Sequence, residues 1–94
     1  MMLTVVATVK VKQDKLDEAM GFFKELAAGV LANEPGTLAY VIHQRRDDPC
    51  SVVVYEKYES DAAFAIHGQN LAAKGAEFGA LMDGPPDVVI LDEA

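Results

Sequence analysis

The chain has no tryptophan, one cysteine, and far fewer basic than acidic residues: Lys and Arg total 8 against 15 Asp and Glu, for a formal charge of -7. Each shortage excludes something. A single cysteine, Cys50, beside the Asp47-Asp48-Pro49 turn, allows no internal disulfide and no cysteine-based metal site, and it fits a reducing compartment. The acidic balance would repel a phosphate backbone, which removes nucleic acid from the partners to consider. Although 51% of the residues are hydrophobic, no apolar run approaches the roughly 18 residues of a membrane span. The strand-like start Met2-Leu3-Thr4-Val5-Val6 lacks a basic leader and a cleavage motif, so the expected location is cytoplasmic. No glycine-rich phosphate loop follows a strand, and the two histidines have no carboxylate at ligand spacing, so neither a nucleotide cofactor nor a metal is expected.

The chain of 94 residues is read as one domain, 1–94, and a domain of that size buries only roughly two-thirds of its unfolded surface. Leu3 to Val11 is rich in β-branched residues and apolar on both faces, as in a strand covered on both sides. From Asp14, a plausible N-cap, the period changes. Leu16, Ala19, Met20, Phe23, Ala27, Val30 and Leu31 recur at helical steps until Pro35-Gly36 stops the helix after Glu34. Leu38–Arg45 and Val52–Tyr58 predict an antiparallel hairpin across a polar turn. Ser60 caps a second helical stretch carrying Ala63, Phe64, His67, Leu71, Phe78 and Leu81, with Gly68 and Gly75 as expected breaks. Val88-Val89-Ile90-Leu91 forms the last strand.

The order strand, helix, strand, strand, helix, strand predicts an α+β fold: a ferredoxin-like split βαβ with a four-stranded antiparallel sheet. Helices cover one face. The apolar residues of the other face would exceed the patch that a soluble monomer tolerates, which implies packing against a second copy as a homodimer.

His67 leads the candidates for chemistry. Its stripe points it at the sheet, and imidazole is the side chain whose ordinary pKa lies near neutrality; a buried histidine bonded to a carbonyl is the plainer alternative. Glu56 and Tyr58 share strand parity with Val52 and Val54, so if the valines face the helices these two polar groups do too. Such a carboxylate needs a partner or a raised pKa. Tyr40 and Ile42 share one face of the preceding strand, whereas His43 lies on the opposite one as a surface or interface histidine. Asn33, at the helix end, has a capping role as its plainer alternative.

Asn33-Glu34-Pro35-Gly36-Thr37-Leu38-Ala39-Tyr40, then Tyr55-Glu56-Lys57-Tyr58, then Ser60, Ala63, Phe64 and His67, resembles the antibiotic biosynthesis monooxygenase family of small dimeric α+β barrels. The resemblance runs over nearly the whole chain. It implies a dimeric α/β barrel in which two sheets face each other, with a pocket between sheet and helices. It further implies a cofactor-independent oxygenase that uses O₂ on small aromatic substrates, quinol-like or anthrone-like. In that reading His67 is the base, Tyr58 and Asn33 hold the oxyanion and peroxide oxygen, and Glu56 orients the histidine. Tyr40, Ile42, Phe64, Val54 and Phe23 line the substrate pocket. The same base could isomerise a small ketone-bearing metabolite, and a non-catalytic, stress-associated ligand-binding barrel is the remaining alternative. Two departures bear on this: many members carry a second histidine where this chain has Ala72, and many have tryptophan where it has Tyr58. Members that degrade haem tend to use that tryptophan with a helix histidine, so the haem reading is weakened.

Overall fold

The computed structural model describes residues 2–94. Strand β1 (Leu3–Lys10) passes through a 3-10 turn (Gln13–Lys15) into helix α1 (Leu16–Asn33). The hairpin β2 (Thr37–Gln44) and β3 (Ser51–Tyr58) follows, then helices α2 (Asp61–Ala72) and α3 (Gly75–Leu81), and finally strand β4 (Asp87–Asp92). The sheet order is β2-β3-β1-β4 with every pairing antiparallel, the split βαβ arrangement expected from the alternation of periods.

Register decides which residues meet the helices. Tyr40, Glu56, Val5 and Ile90 lie opposite one another in a row across the four strands, and Ile42, Val54, Ala7 and Val88 form the next row on the same face. Val5, Val9, Val52, Val54 and Phe23 are fully buried there. Phe22, Phe23 and Phe78 meet edge to face, with ring centroids 5.6–5.8 Å apart, and fasten α3 to α1. The helices do not reach the β4 edge, so Val88 and Ile90 stay exposed although they point to the helix side. On the opposite face, Val41, Tyr55, Val6 and Val89 make an apolar row crossing all four strands, three of them exposed and Val6 half-buried.

Local details depart from the sequence reading in four places. Asp14 lies inside the 3-10 turn, and the residue preceding α1 is Lys15, with no side-chain cap. Within α1 Leu26 is buried and Leu31 is half-exposed, because the stripe facing the sheet drifts round the helix by its last turns. Helix α1 ends at Asn33 rather than Glu34, since the proline that follows biases Glu34 away from the helical region, to φ -118° and ψ 87°. Gly68 sits inside α2 without interrupting it; the helix ends at Ala72 and Gly75 opens α3, so only the second expected break occurs. Ser60 caps α2 as expected, its Oγ accepting from the Ala63 amide at 3.2 Å.

Glu34-Pro35-Gly36-Thr37 is a tight turn closed by the Thr37 amide on the Glu34 carbonyl at 3.0 Å. Its carbonyl at Gly36 accepts from the Glu59 amide at 2.9 Å, tying the turn to the start of α2. A Cβ at position 36 would lie 2.5 Å from Cβ of Ala63. Gly36→Ala therefore has to push α2 off the turn, and overpacking of this kind costs roughly 1–3 kcal/mol. Urea unfolding of the two proteins measures the loss; an unchanged midpoint would show that α2 is not clamped here.

Candidate active site

Pro35 and the Ser60 cap act together on one contact. The first turns Glu34 out of helical register, the second fixes the phase of α2, and the two side chains Glu34 and His67 meet in the interior. His67 is 3% exposed. Its Nδ1 lies 3.0 Å from Oε1 of Glu34, which also accepts from Thr37 Oγ1 at 3.2 Å, while Glu34 Oε2 accepts from Asn70 Nδ2 at 3.2 Å. A carboxylate already receiving two donors, Thr37 and Asn70, is an acceptor towards the imidazole as well, so the ring proton belongs on Nδ1 and the lone pair on Nε2. Nε2 is 3.9 Å from Oε1 of Glu56, too far for a hydrogen bond. The Tyr40 and Tyr58 rings flank the imidazole at centroid distances of 5.1 and 5.6 Å.

Glu56 sits on the helix face of β3, as its parity with the valines required, and its Oε1 accepts from the Tyr58 hydroxyl at 2.5 Å. Burial raises the Glu56 pKa above the ordinary carboxylate value; the Tyr58 hydrogen bond and the nearby His67 pull it back, and Glu34 pushes it up further. Burial, followed by the bond to Glu56, likewise raises the Tyr58 phenol, and burial raises the Tyr40 phenol, so both stay protonated donors.

A cavity of about 520 Å³ opens between the sheet and α2 and α3. Phe23, Tyr40, Val54, Glu56, Phe64 and His67 are among its walls, which are otherwise almost wholly apolar. No lysine or arginine lines it. Five of the expected residues around His67, namely Phe23, Tyr40, Val54, Glu56 and Phe64, therefore share one space with it. The others stand elsewhere. Ile42 packs against the core on the same sheet face without lining the cavity. Tyr58 is fully buried with its hydroxyl committed to Glu56. Asn33 is exposed, its amide bonded to the Gly29 carbonyl at 2.9 Å, and it does not line the cavity. The orienting bond expected of Glu56 is made by Glu34, which the sequence reading passed over as a helix-terminal residue. The signal for it was the Glu-Pro-Gly triplet, since proline moves the residue before it out of the helical region. His43 lies on the exposed face of β2, its ring bonded to backbone carbonyls. Among the described residues no group of three or more His, Cys, Asp or Glu is placed to hold a metal ion, and no helix is long and apolar enough to cross a membrane.

The split βαβ sheet with its helices on one face places the chain among small α+β proteins of the ferredoxin-like fold. The chain belongs to the antibiotic biosynthesis monooxygenase family, whose model matches residues 2–77. Among solved structures it is similar to a candidate antibiotic biosynthesis monooxygenase from Caulobacter crescentus, at 39% identity and TM-score 0.91, with 99% of this chain and 90% of that one covered. A candidate of the same description from Nitrosomonas europaea is 27% identical, with TM-score 0.82 and coverage of 98% and 89%. A Mycobacterium tuberculosis protein at 20% identity and TM-score 0.88, covering 100% and 96%, shares the fold. No match is found among curated protein sequences.

The raised Glu56 pKa carries a signed consequence. A carboxyl whose folded pKa lies above its unfolded value contributes stability that is present below the unfolded pKa and lost as pH rises through the folded one. Glu56→Gln keeps an acceptor for Tyr58 and has no charge to bury. Its stability relative to the native protein should therefore climb as pH rises above about 4, near the ordinary Glu pKa, as read by thermal melts. A difference independent of pH would mean that Glu56 ionises at no cost.

Proposed function

We propose that the protein is a cytoplasmic, cofactor-independent monooxygenase of small electron-rich aromatic substrates such as hydroquinones or anthrone-like polyketides. The observation that carries this reading is the imidazole held at Nδ1 by Glu34, with Nε2 on the side of the apolar, cation-free cavity. A phenol or anthrone deprotonated there becomes electron-rich enough to pass an electron to O₂ itself, so the protein need supply only a base, a hydrogen-bond donor and an apolar enclosure. Recombination gives a peroxide on carbon; loss of water from it leaves one oxygen atom as a new carbonyl and the other in the water. His67 is the base. Tyr40, whose hydroxyl has no partner among the described residues, is the better-placed donor for the substrate oxygen, since Tyr58 is occupied. Glu56 and Tyr58 form a buried pair behind Nε2, and Asn33 contributes only through the α1 terminus.

Oxygen uptake with a panel of hydroquinones and anthrones, with ¹⁸O₂ incorporation followed by mass spectrometry, tests the assignment. One labelled oxygen in the product and one in water is expected. His67→Ala should slow turnover by about 10²-fold or more, the usual worth of a general base. Substrate ionisation with no oxygen uptake would move the site to proton-transfer chemistry, such as ketone isomerisation, and an absence of binding would favour a non-catalytic barrel.

The enzyme is proposed to act as a homodimer. The row Val41, Tyr55, Val6 and Val89, with Leu91 beside it, leaves an apolar face uncovered by any helix, and a second copy laid sheet to sheet would bury it. Light scattering at low micromolar concentration should give about twice the chain mass of 10.1 kDa; the chain mass itself would remove the barrel.

A further inference from the structure

Two spaces meet at His67. One is the apolar cavity already described. The other is a more polar groove of about 480 Å³ between α1 and α2, where Glu25, Asn33, Glu34, Asn70 and Lys74 stand among apolar residues. Only His67 and Leu71 border both. The two ring nitrogens divide accordingly: Nε2 faces Glu56 on the cavity side, and Nδ1 faces Glu34 on the groove side.

We infer that His67 is a proton port, taking the substrate's proton at Nε2 in the cavity and exchanging protons with solvent at Nδ1 through Glu34 and the groove. The inference rests on His67 being the base. An aromatic ring filling an apolar cavity leaves no water there to carry a proton, so a base reached only from that side would be fixed in whatever state it held when substrate arrived. The groove removes that limit. The phenol proton moves to Nε2, the Nδ1 proton moves to Oε1 of Glu34, and Glu34 passes it to groove water. When the peroxide O–O bond breaks, the peroxide-bearing carbon loses its hydrogen as a proton and becomes the carbonyl, that proton and the Nε2 proton go to the departing oxygen to form water, and Glu34, reprotonated from groove water, returns a proton to Nδ1. The cycle is balanced. The ionisable groups around the ring are Glu34, Glu56, Tyr40 and Tyr58; those facing the groove besides Glu34 are Glu25, Lys74 and Glu77.

Stopped-flow binding of p-nitrophenol, an oxygen-inert phenol with a visible phenolate band, separates the two steps in weakly buffered solution containing a pH indicator. In the native protein, phenolate formation and proton release should coincide. Two variants close the port differently. Glu34→Gln removes the acceptor. Gly29→Leu fills the groove from a half-buried helical position where a new Cβ meets nothing within 4 Å, leaving the Glu34 to His67 bond in place even if the first variant folds poorly. In Gly29→Leu the phenolate should still form while proton release lags it by about tenfold or more, within the range by which a positioned acid or base changes a proton transfer; Glu34→Gln, which also loosens the hold on the imidazole, should slow both phenolate formation and proton release. Release as fast as in the native protein in Gly29→Leu, with ionisation intact, would overturn the port alone. A native protein that binds the phenol without ionising it would overturn the base assignment, and the port with it.

Discussion

The contact between Glu34 and His67 is what the rest of the site depends on. A chain of 94 residues has a small core, yet this one places a histidine and two carboxylates inside it, each 7% exposed or less. Ionisable groups survive such burial only when they are paired and hydrogen-bonded. Here both carboxylates are paired in that way. Glu34 collects Thr37, His67 and Asn70; Glu56 collects Tyr58. The network joins α1, β2, β3 and α2 at one point, and the imidazole is left with one nitrogen committed and one free.

That asymmetry follows from backbone constraints rather than from the chemistry of the side chains. Pro35 expels Glu34 from the helix, Gly36 lets the turn come within contact of Ala63, and Ser60 sets where α2 begins. Together these fix the distance between a carboxylate at the end of one helix and an imidazole one turn and a half into another. The sheet supplies the other wall, with Tyr40, Glu56, Val5 and Ile90 in a single register row. Cavity and network are therefore two faces of the same packing arrangement.

Much of this was legible in the sequence. Strand parity placed Glu56 and Tyr58 with the valines facing the helices, and helical periodicity turned His67 inward, because both periods are properties of the backbone alone. The element order gave the split βαβ topology. The partnerships were not legible: the residue that holds His67 comes from 33 positions away, across a turn whose exit angle no local pattern states. Periodicity also mistook Leu31 for Leu26 in α1, where drift of the stripe over eighteen residues moves the buried face. Tyr58 was assigned to substrate contact on residue type and facing, and its burial against Glu56 could be seen only once the helices were in place.

The tautomer of His67 tests the account most directly. The chain has two histidines, so long-range ¹H–¹⁵N correlation spectra of histidine-labelled protein assign both rings, with a His43→Gln sample separating them. With Glu34 accepting from Nδ1, neutral His67 should show its proton on Nδ1 and an unprotonated Nε2, and Glu34→Gln should redistribute that preference. A native His67 protonated at Nε2 and bare at Nδ1 would contradict the account, since the nitrogen facing the cavity would then have no lone pair with which to take a proton.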